Sequence, residues 1–217
     1  MAEGPPFSDP NHYCRLVGRL IYLFVTRPEL SYYVHILAQF MQHPRQEHWE
    51  AALRVVWYLK GNPGQGILLH ADCDLQLYAW CDSDWACCPL TRRSITGWFV
   101  LFGNSPISWK TKKQHTVSRS SAEAEYQSMA TTTCELIWLK ALLLSLGVAH
   151  PHSMKLYCDN QAALHIAANP VFYERTKYIE IDCHFIRNAI LRGNINTRYV
   201  PTHAQLADIF TKALRKK

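Results

Sequence analysis

Four acidic side chains, Asp82, Glu125, Asp159 and Asp208, have the types and surroundings that phosphodiester hydrolysis needs. Carboxylate oxygens are hard ligands. Four of them brought together make an all-oxygen site for hard divalent cations, and such ions activate water and neutralise a phosphate. Asp82 ends the strand-like run Leu75 to Cys81, and Asp159 ends the run Met154 to Cys158. In open α/β sheets, ligands gather at the carboxyl ends of strands. Glu125 falls in a helix that opens near Ser121, and Asp208 in a helix expected from His203 to Leu214.

Helical periodicity separates the two glutamates of Ser120-Ser-Ala-Glu-Ala-Glu125. Ser120 and Glu123 fit a capping box. Ala122, Glu125, Met129, Thr132, Leu136, Leu139 and Leu143 recur in steps of three and four, so they share one face. Glu123 is off that stripe, about 200° around the axis from Glu125. A carboxylate on an apolar stripe is costly unless something compensates it, and a metal ion would. Glu123 is therefore expected to cap and Glu125 to do chemistry. The others keep bland alternatives. For Asp159 the alternative is a turn or cap residue, with Asn160 capping the helix that follows. Asp208, beyond a capping box Thr202-His-Ala-Gln205, reads equally as a surface aspartate. Asp84 is a spare candidate, better read as a turn residue.

The elements that must position these groups follow from the apolar pattern. Residues 1–10 read as a flexible tail, and 11–65 as a helical segment. Its apolar stripes are Leu16/Leu20/Leu23/Phe24, Val34/Leu37/Met41 and Trp49/Leu53/Val56/Leu59. Gly61-Asn-Pro-Gly-Gln-Gly66 breaks the pattern, and a second domain is expected over 66–217. There, three closely connected strands (Leu75 to Cys81, Ser94 to Phe102 and one starting at Ile107) suggest an antiparallel meander, with Gly66 to His70 as an optional edge strand. A long helix, a strand at Met154 to Cys158, helices over Gln161 to Ala168 and Lys177 to Leu191, a strand at Ile195 to Val200 and a closing helix complete the order. The fold class expected is α/β: a mixed five-stranded sheet flanked by helices, preceded by a small helical segment.

Bulk properties fit. The chain has 217 residues, 48% of them hydrophobic and 18% charged, so it can bury a core. The formal net charge of +6 favours polyanionic partners without requiring one. None of the eight cysteines makes a Cys-x-x-Cys pair, which argues against a structural zinc site and for reduced thiols. Met1-Ala-Glu-Gly-Pro-Pro6 lacks the apolar core of a signal peptide, and no apolar run is long enough to span a bilayer. A soluble, non-secreted protein with no membrane partner is expected.

An ordered set of blocks carries a more specific reading. They are Tyr78-Ala-Trp-Cys-Asp-Ser-Asp-Trp-Ala86, Thr91-Arg-Arg-Ser-Ile-Thr-Gly97, Ile107-Ser-Trp-Lys-Thr-Lys-Lys-Gln114 and Ser118-Arg-Ser-Ser-Ala-Glu-Ala-Glu-Tyr126, then Tyr157-Cys-Asp-Asn-Gln-Ala-Ala163, the Arg175 to Arg187 segment and Gln205-Leu-Ala-Asp-Ile-Phe-Thr-Lys212. In this order they resemble the RNase H domain of plant-like copia-type LTR retrotransposon Pol polyproteins. The blocks at 13–30 and 51–61 resemble the reverse transcriptase thumb or connection segment that precedes it. The resemblance implies an RNase H-like fold. It implies that Asp82, Glu125, Asp159 and Asp208 are catalytic and hold two Mg2+ ions, with Mn2+ a substitute, about 4 Å apart. It implies cleavage of the RNA strand of RNA–DNA hybrids beside a reverse transcriptase polymerase domain, in a cytoplasmic retrotransposon particle or the nucleus. Tyr-x-Asp-Asp, a polymerase signature, is absent from the chain, so a fragment of a polyprotein is expected. Phosphate contacts are expected from Arg92, Arg93, Lys112, Lys113, Arg119, Arg175, Lys177 and Arg187. His203 and Asn160 are auxiliary candidates, and Trp85 and Trp109 read as core. Lys177-Tyr178 replaces the usual Lys-His, and Cys87-Cys88 the usual pair after Trp-Ala. The competing reading is a degenerate, non-catalytic remnant that binds nucleic acid at most.

Overall fold

Alternating apolar residues at 77–81 and 95–102 build the first strands of a sheet. The computed structural model describes residues 4–169 and 180–213, which divide into two compact units, the larger spanning Leu69–Lys212. In that unit β1 (Leu77–Asp84), β2 (Ile95–Phe102) and β3 (Ser105–Lys113) form the expected meander, and β4 (Met154–Cys158) and β5 (Ile195–Tyr199) lie parallel to β1. Among the described residues the sheet has five strands, ordered β3-β2-β1-β4-β5. The optional edge strand at 66–70 is not formed. Leu68 and Leu69 of that stretch stay exposed, so no apolar face pulls it onto the sheet.

One face of the sheet packs against α4 (Ser121–Ser145), with α5 (Gln161–Ala168) and α6 (Glu180–Leu191) beside it. Leu77, Ala79, Cys81, Trp98 and Val100 meet Tyr126, Met129, Leu136 and Leu139 of α4 in a closed core. Strand alternation sends Gly97 and Phe99 to the other face. There Phe99 stacks on Phe210, with ring centroids 5.6 Å apart, and Trp80 stacks on Tyr157 at 4.8 Å. His150 is buried and accepts the Leu77 N–H at 3.0 Å through Nε2, which fixes the entry to β1.

The chain end departs from expectation. The closing α-helix is replaced by two 3-10 turns, Thr202–Ala204 and Leu206–Phe210. Gln205, between them, is extended and buried. Its amide donates to Cys81 O on β1 at 2.9 Å, and its side-chain oxygen accepts from Ala207 N at 3.2 Å. A side chain committed to the sheet at that point prevents a continuous α-helix.

The smaller unit is helical. It consists of α1 (Pro10–Leu23), α2 (Ser31–Ala38) and α3 (Gln46–Gly61), packed through Tyr13, Val17, Leu20, Val34, Leu37, Ala52 and Val55. Asp9 caps α1 by accepting from His12 N at 2.9 Å, with Pro10 at its first position. The stripe of α3 is rotated by one residue, burying His48, Ala52 and Val55, and leaving Trp57 exposed. Residues 4–9 are docked rather than loose: Pro6 bridges Arg45, and Phe7 stacks on Trp49 at 4.8 Å. No described helix is long and apolar enough to cross a membrane.

Candidate metal centre

Asp82 sits inside β1, two residues before its end, opposite Gly97 of β2. It is 2% exposed. Asp159 follows β4 directly, and its Oδ2 accepts from Thr202 Oγ1 at 2.9 Å. Asp208 lies in the 3-10 turn after Gln205. One carboxylate oxygen from each of these three residues lies within 4.8 Å of the other two. Three distant segments, 82, 159 and 208, thus bring their acids to one place.

Glu125 reaches the same region from α4, 5% exposed. The helix start is fixed as the sequence suggests. Ser120 Oγ accepts from Glu123 N at 3.2 Å. The Glu123 carboxylate accepts from Arg119 N at 2.6 Å, one residue earlier than a capping box predicts. Gln114 fastens α4 to the sheet: its amide donates to Ala124 O at 2.9 Å and to Thr96 Oγ1 at 3.0 Å. Ser128 Oγ donates to Asp82 O at 2.9 Å. So held, Glu125 accepts the Ser83 N–H at 3.1 Å through Oε1. Its carboxylate forms a second trio with Cys158 Sγ and Asp159, again within 4.8 Å. Asp159 belongs to both trios.

Gly97 is what lets the last acid arrive. A Cβ there would lie 2.7 Å from Phe210 Cβ and 2.8 Å from Thr211 Cγ2, both under contact distance. The bare backbone accepts the 206–212 segment against β2. That segment also brings Thr211, whose hydroxyl donates to Asp82 Oδ2, and Lys212, whose ammonium lies 2.6 Å from Asp208 Oδ1 and 3.4 Å from Asp82 Oδ2.

The electrostatics describe an under-compensated cluster. Burial pushes the Asp82 carboxyl up to about 6; Lys212 and Thr211 pull it down, and Asp208 and Asp159 push it up further. Burial raises Glu125 to about 10, with Cys158, Asp82 and Asp159 adding repulsion and the Ser83 N–H opposing it. Lys212 is raised: burial alone would lower it, but the Asp82 and Asp208 carboxylates outweigh that. Burial also lifts Asp84, which is half-buried at the end of β1.

The expected phosphate-binding cations are divided. Arg92 and Arg93 are exposed on the turn after Cys88, Arg92 with φ of +53°. Lys112 is exposed on β3, while Lys113 beside it donates to Cys88 Sγ at 3.2 Å. Arg119 is exposed just before α4. Arg187 is a correction: it is buried, and its guanidinium donates to Ile166 O and Asn169 O at the end of α5, so it serves that helix terminus instead of a surface. Arg175 and Lys177 lie outside the described residues. Asn160 caps α5, accepting from Ala163 N at 3.0 Å, and His203 is exposed. Trp85, expected in the core, is 46% exposed; its Nε1 donates to Ser118 O. Sequence reading gave no role to Gln114, Cys158, Thr211 or Lys212. All four sit within quoted blocks, so the signal was present, but only the tertiary contacts give each its work.

No protein-family model matches the chain. It is 46% identical over 214 residues to the retrovirus-related Pol polyprotein from transposon RE2 of Arabidopsis thaliana, covering 99% of this chain and 15% of that protein. The chain thus spans about 15% of the length of the curated relatives it matches first. Among solved structures, the foamy viral protease-reverse transcriptase in complex with RNA/DNA hybrid is 14% identical, with a TM-score of 0.56, covering 96% of this chain and 27% of that one. LC11-RNase H1 isolated from compost is 11% identical, with a TM-score of 0.49, covering 63% and 92%.

Proposed function

The chain belongs to the retrovirus-related Pol polyproteins of copia-type transposons and has an RNase H-like α/β fold, and we propose that it hydrolyses the RNA strand of RNA–DNA hybrids, using divalent cations held by Asp82, Glu125, Asp159 and Asp208. One observation carries this reading: the four carboxylates converge from β1, α4, the end of β4 and the last 3-10 turn into two trios that share Asp159.

The donor set fits hard divalent ions. Asp82 and Glu125 are raised first by burial and then by neighbouring acidic groups, the condition a cation relieves. A cation already faces two of these carboxylates, since Lys212 places its ammonium against Asp208 and Asp82. Mg2+, or Mn2+ in its place, would supply activation of water and stabilisation of the departing 3′-oxygen.

The protein's own groups supply the rest. Thr211 orients Asp82, Thr202 orients Asp159, and the Ser83 N–H orients Glu125, so three of the four carboxylates are aimed before substrate arrives. Arg92, Arg93, Lys112 and Arg119 are the exposed cations proposed to grip phosphates, and they set affinity rather than strand choice. The RNA strand is told from DNA by its 2′-hydroxyls in the wide minor groove. The polymerase partner proposed is the reverse transcriptase of the same polyprotein family.

The test uses a hybrid with a label on each strand, incubated with the purified chain in Mg2+ or EDTA beside Asp159→Asn. Mg2+-dependent cleavage confined to the RNA strand, and lost in the variant, is the expected result. Tight hybrid binding with no Mg2+-dependent cut would reduce the protein to a binding module.

A further inference from the structure

The two trios differ in chemistry. Asp82, Asp159 and Asp208 offer oxygen only; Glu125, Cys158 and Asp159 offer oxygen and sulfur. Hard ions such as Mg2+ suit the first set. Thiolate sulfur suits borderline-soft ions such as Zn2+ and Cd2+.

The sulfur is built into its place. Cys158 is fully buried at the end of β4, with its Sγ 3.9 Å from Glu125 Oε2. That thiol donates to Oε2, a carboxylate oxygen on a side chain 5% exposed, while Oε1 takes the Ser83 N–H. The Asn160 N–H points at Cys158 Sγ from 3.4 Å, an arrangement that stabilises sulfur when it carries negative charge. Zn2+ bonds sulfur at about 2.3 Å and carboxylate oxygen at about 2.0–2.2 Å, which puts such atoms roughly 3.6 Å apart around a tetrahedral ion. Cys158 Sγ and Glu125 Oε2, 3.9 Å apart, are close to that spacing, and Asp159 brings an oxygen within 4.8 Å of both ligand atoms.

We propose that Glu125, Cys158 and Asp159 form a site for soft divalent cations of the Zn2+ and Cd2+ class, and that occupancy there excludes hard ions from the two carboxylates it shares with the acid cluster. The exclusion half rests on the hard-ion reading given above; the binding half does not. Coordination converts the Cys158 thiol to a thiolate, with its proton released to solvent as the metal–sulfur bond forms.

Cd2+ titration of the metal-free protein, followed by the ultraviolet charge-transfer band of Cd2+–thiolate bonds, tests the binding. Cys158→Ser should lose one equivalent of that band and bind Cd2+ at least about tenfold more weakly. Cys134→Ser, at an exposed thiol, should keep that equivalent. Glu125→Gln leaves every sulfur in place and should still weaken the site, which guards against misfolding of the serine variant; far-ultraviolet circular dichroism accompanies each titration. A Cys158→Ser titration that matches the parent would overturn the proposal. Exclusion is read by Mn2+ paramagnetic resonance: Cd2+ should displace Mn2+ from the parent and not from Cys158→Ser. Failure of Mn2+ to bind the parent would count against the hard-ion reading, while the Cd2+ band would still report on Cys158.

Discussion

Both units bury charge, and they do it in opposite ways. In the helical unit Arg27 and Glu29 are each less than a tenth exposed and meet at 2.6 Å, with Arg27 also donating to Asn62 O at 3.1 Å. In the sheet unit Asp82 and Glu125 are buried as deeply, but they face other carboxylates. The cation paired with Asp82, Lys212, is 43% exposed at its side chain and divides itself between Asp82 and Asp208. A buried charge with a dedicated partner belongs to architecture. A buried cluster of one sign, short of counter-charge, is a place prepared for something the chain does not itself supply.

That contrast can be broken experimentally. Asp159 belongs to both trios, so Asp159→Asn should cost most: several kcal/mol of transition-state stabilisation, or about 1,000-fold in the rate of hybrid cleavage. Single-turnover kinetics will measure it, and a variant that cleaves like the parent would remove the acid cluster from the chemistry. Arg27→Ala should lower stability by about 3 kcal/mol in urea unfolding, whether or not metal is present, because it strands Glu29 in the interior. A cost that depended on Mg2+ would erase the distinction between the units.

The pH dependence sharpens the same point. The folded Asp82 carboxyl, at about 6, lies above its ordinary value of 3.8, so the folded state holds the proton more firmly than the unfolded chain does. Its favourable contribution is complete below about pH 4 and is lost as pH rises through 6, a change of roughly 3 kcal/mol. Glu125 acts in the same direction over a wider range, up to about pH 10. In EDTA the melting temperature should therefore fall as pH is raised from 5 to 8, and Mg2+ should restore it. Glu125→Gln should flatten that slope and raise the metal-free melting temperature at pH 8, a gain no structural ion pair would give. The smallest effect expected is at Ser120→Ala, which removes the α4 cap for about 1 kcal/mol and should weaken metal binding only slightly.

Local rules made much of this legible. Helical spacing alone separated Glu125 from Glu123, and the structure places the first inward and the second at the helix cap. The meander, α4, β4 and α5 follow period and turn chemistry, with boundaries shifted by a few residues at most. What sequence could not give depends on distant contacts. The 3-10 turns around Asp208 exist because Gln205 bonds to Cys81, far back in the chain. Arg187 looks like a surface cation until the carbonyls at the end of α5 claim it. Cys158 is one reduced thiol among eight in the sequence until the fold lays Glu125 beside it.

Gly97 has a wider consequence. The stretch from Pro201 to Lys212 adds no rung to the five-stranded ladder, and it rests on Phe210 and Thr211 seated in the notch that a missing methyl leaves in β2. Its detachment would cost that packing and the bonds that Gln205, Thr211 and Lys212 make to β1 and Thr111 makes to Phe210 O, while leaving every interstrand bond zipped. The fold and the placement of Asp208 are therefore separable quantities: protease should trim Asp208 from an otherwise native domain, and protection from that cut by an added divalent ion would report on the completed cluster.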